Sequence, residues 1–105
     1  MQSEVLIHPD GGELCVSGTL DADTGKQLVA AMTEVLARFR QPVWHLNLKD
    51  AELTDGQSLT FLLECLQLAL NQGVRLQLTG LSHEHRMLFR ISRLDGLFEI
   101  EAMAA

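Results

Sequence analysis

Apolar and polar side chains alternate along three separate segments of the chain, at residues 13–17, 44–49 and 74–79. Strict alternation is typical of a β-strand that has one buried and one open face. A parallel sheet covered on both faces would instead show continuous apolar runs. The pattern therefore predicts a sheet that carries all its helices on one face and leaves the other face polar.

The first of these strands has an antiparallel neighbour in the sequence. A short apolar run at residues 5–7 precedes the turn sequence 9–12, Pro-Asp-Gly-Gly, and the alternating segment 13–17 follows it. Two apolar runs on either side of such a turn predict a β-hairpin.

Helical spacing begins after this hairpin. The first predicted helix is capped by Asp21 or Asp23 and ends before Pro42, and its apolar positions lie three and four residues apart: Leu28, Met32, Val35 and Phe39.

Two further helices alternate with the remaining strands. One is predicted from about residue 56 to residue 72, with Gly73 as its C-cap, and the other over residues 83–94, with Ser82 as its N-cap. Residues 98–100 form either a short edge strand or a packed tail. The predicted fold class is α/β, a single domain over residues 1–105. Its N-terminal hairpin leads into β-α units that form a mixed, mostly parallel, four-stranded sheet with helices on one face.

The composition of the chain argues against several classes of function. The chain has 105 residues, with 14 acidic and 8 basic side chains and a formal charge of −6, which argues against nucleic acid or an anionic membrane as partner. Two cysteines do not make a disulfide framework. No signal peptide is visible, and the longest leucine-rich stretch is too short to span a bilayer. We therefore expect a cytoplasmic domain.

Catalytic and metal signatures are weak in this sequence. Cys15 and Cys65 have no neighbour that would lower the pKa of a thiol. The pair His83 and His85 lies two positions apart on a predicted helix, so the two rings point about 200° apart and do not share one ion. His8 and His45 are isolated in the sequence. We expect no enzyme activity, no metal site and no cofactor.

The segment 54–59 joins a predicted parallel strand to the start of the second helix. Ligands of parallel sheets bind at such carboxyl ends, and free N–H groups at a helix start favour an anion or a phosphorylated hydroxyl. Simple capping by Thr54 or Asp55 is the alternative.

The order of four motifs resembles the STAS domain. They are Val16-Ser17-Gly18-Thr19-Leu20-Asp21-Ala22, Leu46-Asn47-Leu48, Leu53-Thr54-Asp55-Gly56-Gln57-Ser58-Leu59 and the stretch 72–81 with its tail 94–98. The resemblance spans roughly residues 4 to 100. STAS domains occur in anti-sigma-factor antagonists, in sulfate-transporter tails and in an accessory subunit of the Mla phospholipid-transport ABC complex. The resemblance thus implies a non-catalytic, bacterial regulatory domain whose partner is either an anti-sigma kinase or an ABC-transporter ATPase.

This chain departs from the antagonists at the switch residue. The resemblance places Asp21 and Asp55 beside the switch, but the antagonists' phosphorylated serine is replaced by Gly56. Ser58 stands where the family has glycine and is the best-placed substitute acceptor, ahead of Thr54 and Thr60. Loss of the phosphoswitch is the other interpretation.

The helical wheel of the second predicted helix indicates which of its apolar residues could form an exposed surface. Phe61 and Leu68 fall about 180–200° away from Leu59, on the side opposite a wide apolar face formed by Leu59, Leu62, Leu63, Leu66, Ala69 and Leu70. If the leucine face enters the core, these two residues are exposed apolar anchors beside the loop that contains Asp55, Gly56, Gln57 and Ser58. Burial against a neighbouring helix or the C-terminal tail is the alternative.

Three other interpretations of these residues remain open. The same apolar pair is compatible with a homodimer. Asp21, Asn47, Asp55 and Ser58 would instead line the pocket of a small anion- or nucleotide-binding domain. On the third helix, arginines 86, 90 and 93 form a stripe that is either solvated or faces an acidic partner.

Overall fold

The computed structural model describes residues 3–39, 41–54 and 56–100. Five strands and three α-helices follow one another along the chain. The strands are β1 (Glu4–His8), β2 (Glu13–Thr19), β3 (Val43–Glu52), β4 (Arg75–Thr79) and β5 (Glu99–Ile100). The helices are α1 (Ala22–Arg38), α2 (Gly56–Asn71) and α3 (His83–Ile91), and a 3₁₀ turn at Pro9–Gly11 links β1 to β2.

The strands form one mixed sheet in the order β1-β2-β3-β4-β5. β1 is antiparallel to β2, as the predicted hairpin requires, and the other pairs are parallel. Each parallel connection passes through one helix, and right-handed crossovers between adjacent strands bring the helices to the same face. The predicted α/β class and one-sided layering are confirmed.

The predicted strand count is corrected from four to five. β5 has only two residues and pairs with β4 through Gln77↔Glu99 and Leu78↔Ile100. An ion pair between Arg75 of β4 and Glu99 of β5 also joins the two strands. Two residues carry no periodicity of their own, so the strand exists because β4 offers it an unpaired edge.

One face of the sheet and the inner sides of the helices enclose a single core. The alternating strand residues on that face are buried: Leu14, Val16, Trp44, Leu46, Leu48, Leu76 and Leu78. Their neighbours on the open face, among them Glu13, Cys15, Asn47 and Gln77, are only partly buried. The predicted division into an apolar and a polar face is therefore correct.

β3 extends beyond the alternating segment 44–49 of the sequence, because the strand continues to Glu52. Cys15 pairs with Asn47, whereas Ser17 pairs with Asp50, so β3 carries one extra residue opposite this part of β2. Such a bulge breaks the two-residue period. As a result Leu48 and Ala51, three positions apart, are both buried.

The helix ends follow their capping residues. Asp21 caps α1, and its Oδ1 accepts a hydrogen bond of 3.0 Å from the backbone N–H of Thr24. Gly73 has φ of +69° and closes α2, with Gly73 N–H donating to Leu70 O and Val74 N–H to Ala69 O. This pair of bonds is the Schellman arrangement that favours glycine.

The third helix is shorter than its predicted range of 83–94. Ser82 caps it in a reciprocal box with His85, as expected of the N-cap. The helix ends at Ile91 because Arg93 adopts φ of +60°, and Leu94 N–H then donates to Phe89 O. Arg93 consequently lies beyond the helix, and the predicted arginine stripe is reduced to Arg86 and Arg90.

Helix α2 is turned relative to its predicted orientation, so the expectation that Phe61 and Leu68 are exposed anchors is wrong. Both side chains are partly buried: Leu68 packs against the core, and the Phe61 ring lies against α1 at Gly25. A Cβ at Gly25 of α1 would overlap the Phe61 ring, so the helices approach closely where α1 has no side chain. The most buried α2 positions are Ser58, Leu59, Leu62, Cys65 and Ala69, and Leu70 of the predicted core face is 61 % exposed.

Because of the close contact at Gly25, replacing this glycine by alanine should lower the stability of the fold, although such a substitution within a helix usually raises it. Within a helix, Gly→Ala normally stabilises by about 1 kcal/mol. Gly25→Ala should instead lower the free energy of unfolding by about 1–3 kcal/mol, because the new methyl group overlaps the Phe61 ring. Urea unfolding followed by the fluorescence of the single tryptophan, Trp44, measures this difference.

Gly56→Ala is the matched control, since a Cβ at Gly56 meets no atom within 4 Å. The double variant Gly25→Ala/Phe61→Leu should recover part of the lost stability, because leucine vacates some of the overlapped space. Equal stabilisation by Gly25→Ala and Gly56→Ala would contradict the close helix contact.

Candidate functional site

Ser58 connects two loops at the carboxyl end of the sheet. Its side chain is fully buried, and its Oγ donates to the carbonyl of Leu20 at 2.9 Å. The same Oγ accepts the backbone N–H of Thr54 at 2.9 Å, and the two hydroxyl oxygens are also 2.9 Å apart. A serine hydroxyl has one proton and two lone pairs. Since the proton is used on Leu20, Thr54 Oγ1 donates the third bond, and Ser58 is saturated.

These bonds join the turn between β2 and α1 to the loop between β3 and α2. Leu20 N–H also donates to the carbonyl of Glu52 at 2.9 Å, which extends the strand pairing into the same region. The first turn of α2 is therefore fixed to the start of α1. Asp21, the residue after Leu20, is exposed beside this junction, and the hydrogen bonds from Thr24 lower the pKa of its carboxyl.

The geometry argues against the expectation that Ser58 is a substitute phosphoacceptor. A kinase needs an accessible hydroxyl, and this hydroxyl is buried with every hydrogen-bonding position occupied. Thr54 and Thr60 are exposed, and Thr60 Oγ1 donates to the carbonyl of Gly56 at 2.8 Å.

The remaining loop residues of the predicted site lie at the start of α2. Gly56 and Gln57 are exposed, and open space surrounds the position of a Cβ at Gly56. The prediction for Asp55 falls outside the described residues.

The solvent-facing side of α2 continues from this loop. We call it the α2 surface, and it consists of exposed residues together with the half-buried Leu63: Gly56, Gln57, Thr60, Leu63, Gln67 and Leu70. Glu64 is the one charged residue of α2, whereas 21 % of the whole chain is charged. Leu70 takes the exposed apolar position that was predicted for Phe61 and Leu68, whereas Leu63, one heptad before it, is partly buried and packs against the core. A nearly uncharged strip with an exposed leucine resembles the centre of a protein interface.

Asn47 and Ser58, two of the residues proposed for an anion pocket, do not converge. Ser58 faces the core, while Asn47 is on the open face of the sheet, where its Nδ2 donates to Glu13 Oε2 at 3.4 Å. A groove of about 410 Å³ lies at the other end of β3 and is lined by Leu36, Ala37, Phe39, Gln41, Pro42, Gln72 and Val74. None of the predicted site residues that the structure describes lines that groove.

Neither cysteine is an activated nucleophile. Burial, with a smaller contribution from Glu64, raises the pKa of Cys65 to about 12. Burial, a hydrogen bond to Glu13 and the charges of Glu13 and Asp50 raise the pKa of Cys15 to about 11. Both thiols are therefore protonated near neutral pH.

Among residues 3–39, 41–54 and 56–100, no helix combines the length and hydrophobicity needed to cross a bilayer.

Removal of the Ser58 hydroxyl should destabilise the fold. Ser58→Ala leaves the buried carbonyl of Leu20 and the partly buried N–H of Thr54 without their partner, so we expect a loss of about 1–3 kcal/mol in the free energy of unfolding. Thr60→Ala removes an exposed hydroxyl from the same helix and should change stability by about 0.5 kcal/mol or less. Denaturant unfolding of both variants tests this difference, and similar small effects would contradict the structural role of Ser58.

Comparison with solved structures identifies the fold. An anti-sigma factor antagonist from Mycobacterium paratuberculosis is 21 % identical, with a TM-score of 0.72 over 97 % of this chain and 86 % of that one. A STAS domain protein from Planctomyces limnophilus is 10 % identical, with a TM-score of 0.74 over 98 % and 92 %. The phosphorylated form of SpoIIAA, a Bacillus cell fate determinant, is 14 % identical, with a TM-score of 0.64 over 96 % and 92 %. At these identities the likeness establishes the fold alone.

Comparison with protein families gives a match over nearly the whole chain, although no curated protein matches it. The STAS_2 family model, described as "Mlab, STAS domain", matches residues 4–100. This range contains all five strands and all three helices. The chain therefore belongs to the STAS_2 family of STAS domains.

Proposed function

We propose that this domain is a non-catalytic docking subunit that binds a protein partner permanently through the α2 surface. This binding is not controlled by phosphorylation of the domain. The observation that carries the proposal is the saturated, buried hydroxyl of Ser58. It is the nearest serine to the position where the antagonists have their acceptor, and it serves to hold the loop in place. Gly56, at the acceptor position itself, has no hydroxyl.

The partner that fits best is the ATPase subunit of an Mla-type ABC transporter. The matching family description refers to Mlab, and the resemblance stated above connects that type of STAS domain with a phospholipid-transport complex. An accessory subunit of a stable complex needs a permanent interface and no acceptor at position 56. An anti-sigma kinase is the alternative partner, favoured by the structural likeness to antagonists.

The α2 surface has the physical character of a docking strip. Leu70 is 61 % exposed, and Leu63 lies one heptad before it on the same side of the helix. Thr60 and Gln67, the polar side chains beside them, are uncharged, and Glu64 is the one charged residue of the helix, so little charge would be desolvated on binding. The bonds of Ser58 hold this helix in one position before the partner arrives, which reduces the entropy lost on association.

Binding to the two candidate partners tests the proposal. The Mla-type ATPase subunit and an anti-sigma kinase from the source organism would each be purified and titrated with the domain by calorimetry. We expect binding to the ATPase, and a Leu70→Asp variant should weaken it about tenfold or more, because a carboxylate would be desolvated at the centre of the interface.

Ile91→Asp is the matched control, since Ile91 is 74 % exposed on α3 and lies outside the α2 surface. It should leave the affinity for the ATPase within about twofold of the wild type. Binding to the kinase alone, or phosphorylation of the wild-type domain by that kinase, would contradict the proposal. Equal losses from Leu70→Asp and Ile91→Asp would contradict the location of the interface.

A further inference from the structure

Three side chains of different chemistry meet on the open face of the sheet. The hairpin pairs His8 with Glu13 directly, and Cys15 lies two residues further along β2 on the same face. The possible ligand atoms of these three residues, an imidazole nitrogen, a carboxylate oxygen and the sulfur, all lie within 4.8 Å of one another. His8 is isolated in the sequence, but strand pairing places it beside two potential partners.

This set of ligands has the chemistry of a zinc site. Zn²⁺ binds imidazole nitrogen, thiolate sulfur and carboxylate oxygen in tetrahedral geometry. Bond lengths of about 2.0–2.3 Å place the ligand atoms of such a site about 3.3–3.8 Å apart. The cluster therefore needs only small side-chain adjustments to close around an ion, and His8 is exposed, which leaves an entry path.

A hydrogen bond from Asn47 holds the carboxylate of Glu13 in position. Asn47 Nδ2 donates to Glu13 Oε2 at 3.4 Å, and Asn47 Oδ1 itself accepts the backbone N–H of Lys49 at 2.9 Å. Hydrogen bonds from a second layer of residues are what orient ligands in metal sites.

We propose that His8, Glu13 and Cys15 form a binding site for Zn²⁺, with water in the fourth position. The site is on the opposite face of the sheet from the helices and is separate from the α2 surface. A cation there would offset the negative charges of Glu13 and Asp50 around Cys15, and it would replace the thiol proton.

Cobalt substitution tests the proposal on the full chain without an affinity tag. Co²⁺ added to the metal-free protein should produce the near-ultraviolet absorption of thiolate-to-cobalt charge transfer, which requires a Co–S bond. Zn²⁺ should abolish this absorption at about one ion per chain. A wild-type protein that shows no such band with Co²⁺ would overturn the proposal.

Variants then identify the ligands. Cys15→Ser should abolish the charge-transfer band, and His8→Gln and Glu13→Gln should each weaken Zn²⁺ binding about tenfold or more in competition with a chromophoric chelator. His83→Gln is the matched control, because His83 is exposed at the start of α3, and it should leave the affinity unchanged. Circular dichroism verifies that each variant is folded.

The possible outcomes separate the proposal from adventitious binding. A band that survives Cys15→Ser, or equal losses of affinity in His8→Gln and His83→Gln, would overturn the site. Since His8 is exposed, His8→Gln retains the fold and decides the question even if the Cys15 variant proves unstable.

Discussion

The hydroxyl of Ser58 connects parts of the chain that are far apart in sequence, and the geometry of the candidate site depends on it. Its donated bond reaches the carbonyl of Leu20, 38 residues away, and its two accepted bonds come from Thr54. The bond to Leu20 is buried and the two from Thr54 are partly buried, so loss of the hydroxyl leaves the Leu20 carbonyl without a partner and shielded from water. The start of α2 is therefore held against the start of α1.

The packing of α2 on α1 then decides which side chains reach solvent. Gly25 allows the Phe61 ring to lie directly on α1, and Leu68 packs against the core. Leu70 is left exposed, with Leu63 at the margin. A domain with a fixed loop and a nearly uncharged, preformed strip is suited to docking, whereas a phosphoswitch requires an accessible hydroxyl at its centre.

The sequence predicted the features that depend on local pattern, such as the strand alternation and the caps at Asp21 and Ser82. It did not predict features that depend on distant partners. The burial of Ser58 is set by a carbonyl of another loop, and the two-residue β5 exists only beside β4. A glycine inside a predicted helix, Gly25, was a visible signal of close packing.

Hydrogen–deuterium exchange of the domain, alone and bound to the Mla-type ATPase, tests the account most directly. Because the amides of α2 and of Leu53 and Thr54 adjoin the proposed interface, binding should slow their exchange. The strands β1 and β4, which present the open face of the sheet, should exchange at the same rates in both states. Protection of those strands with α2 unchanged would contradict docking through the α2 surface.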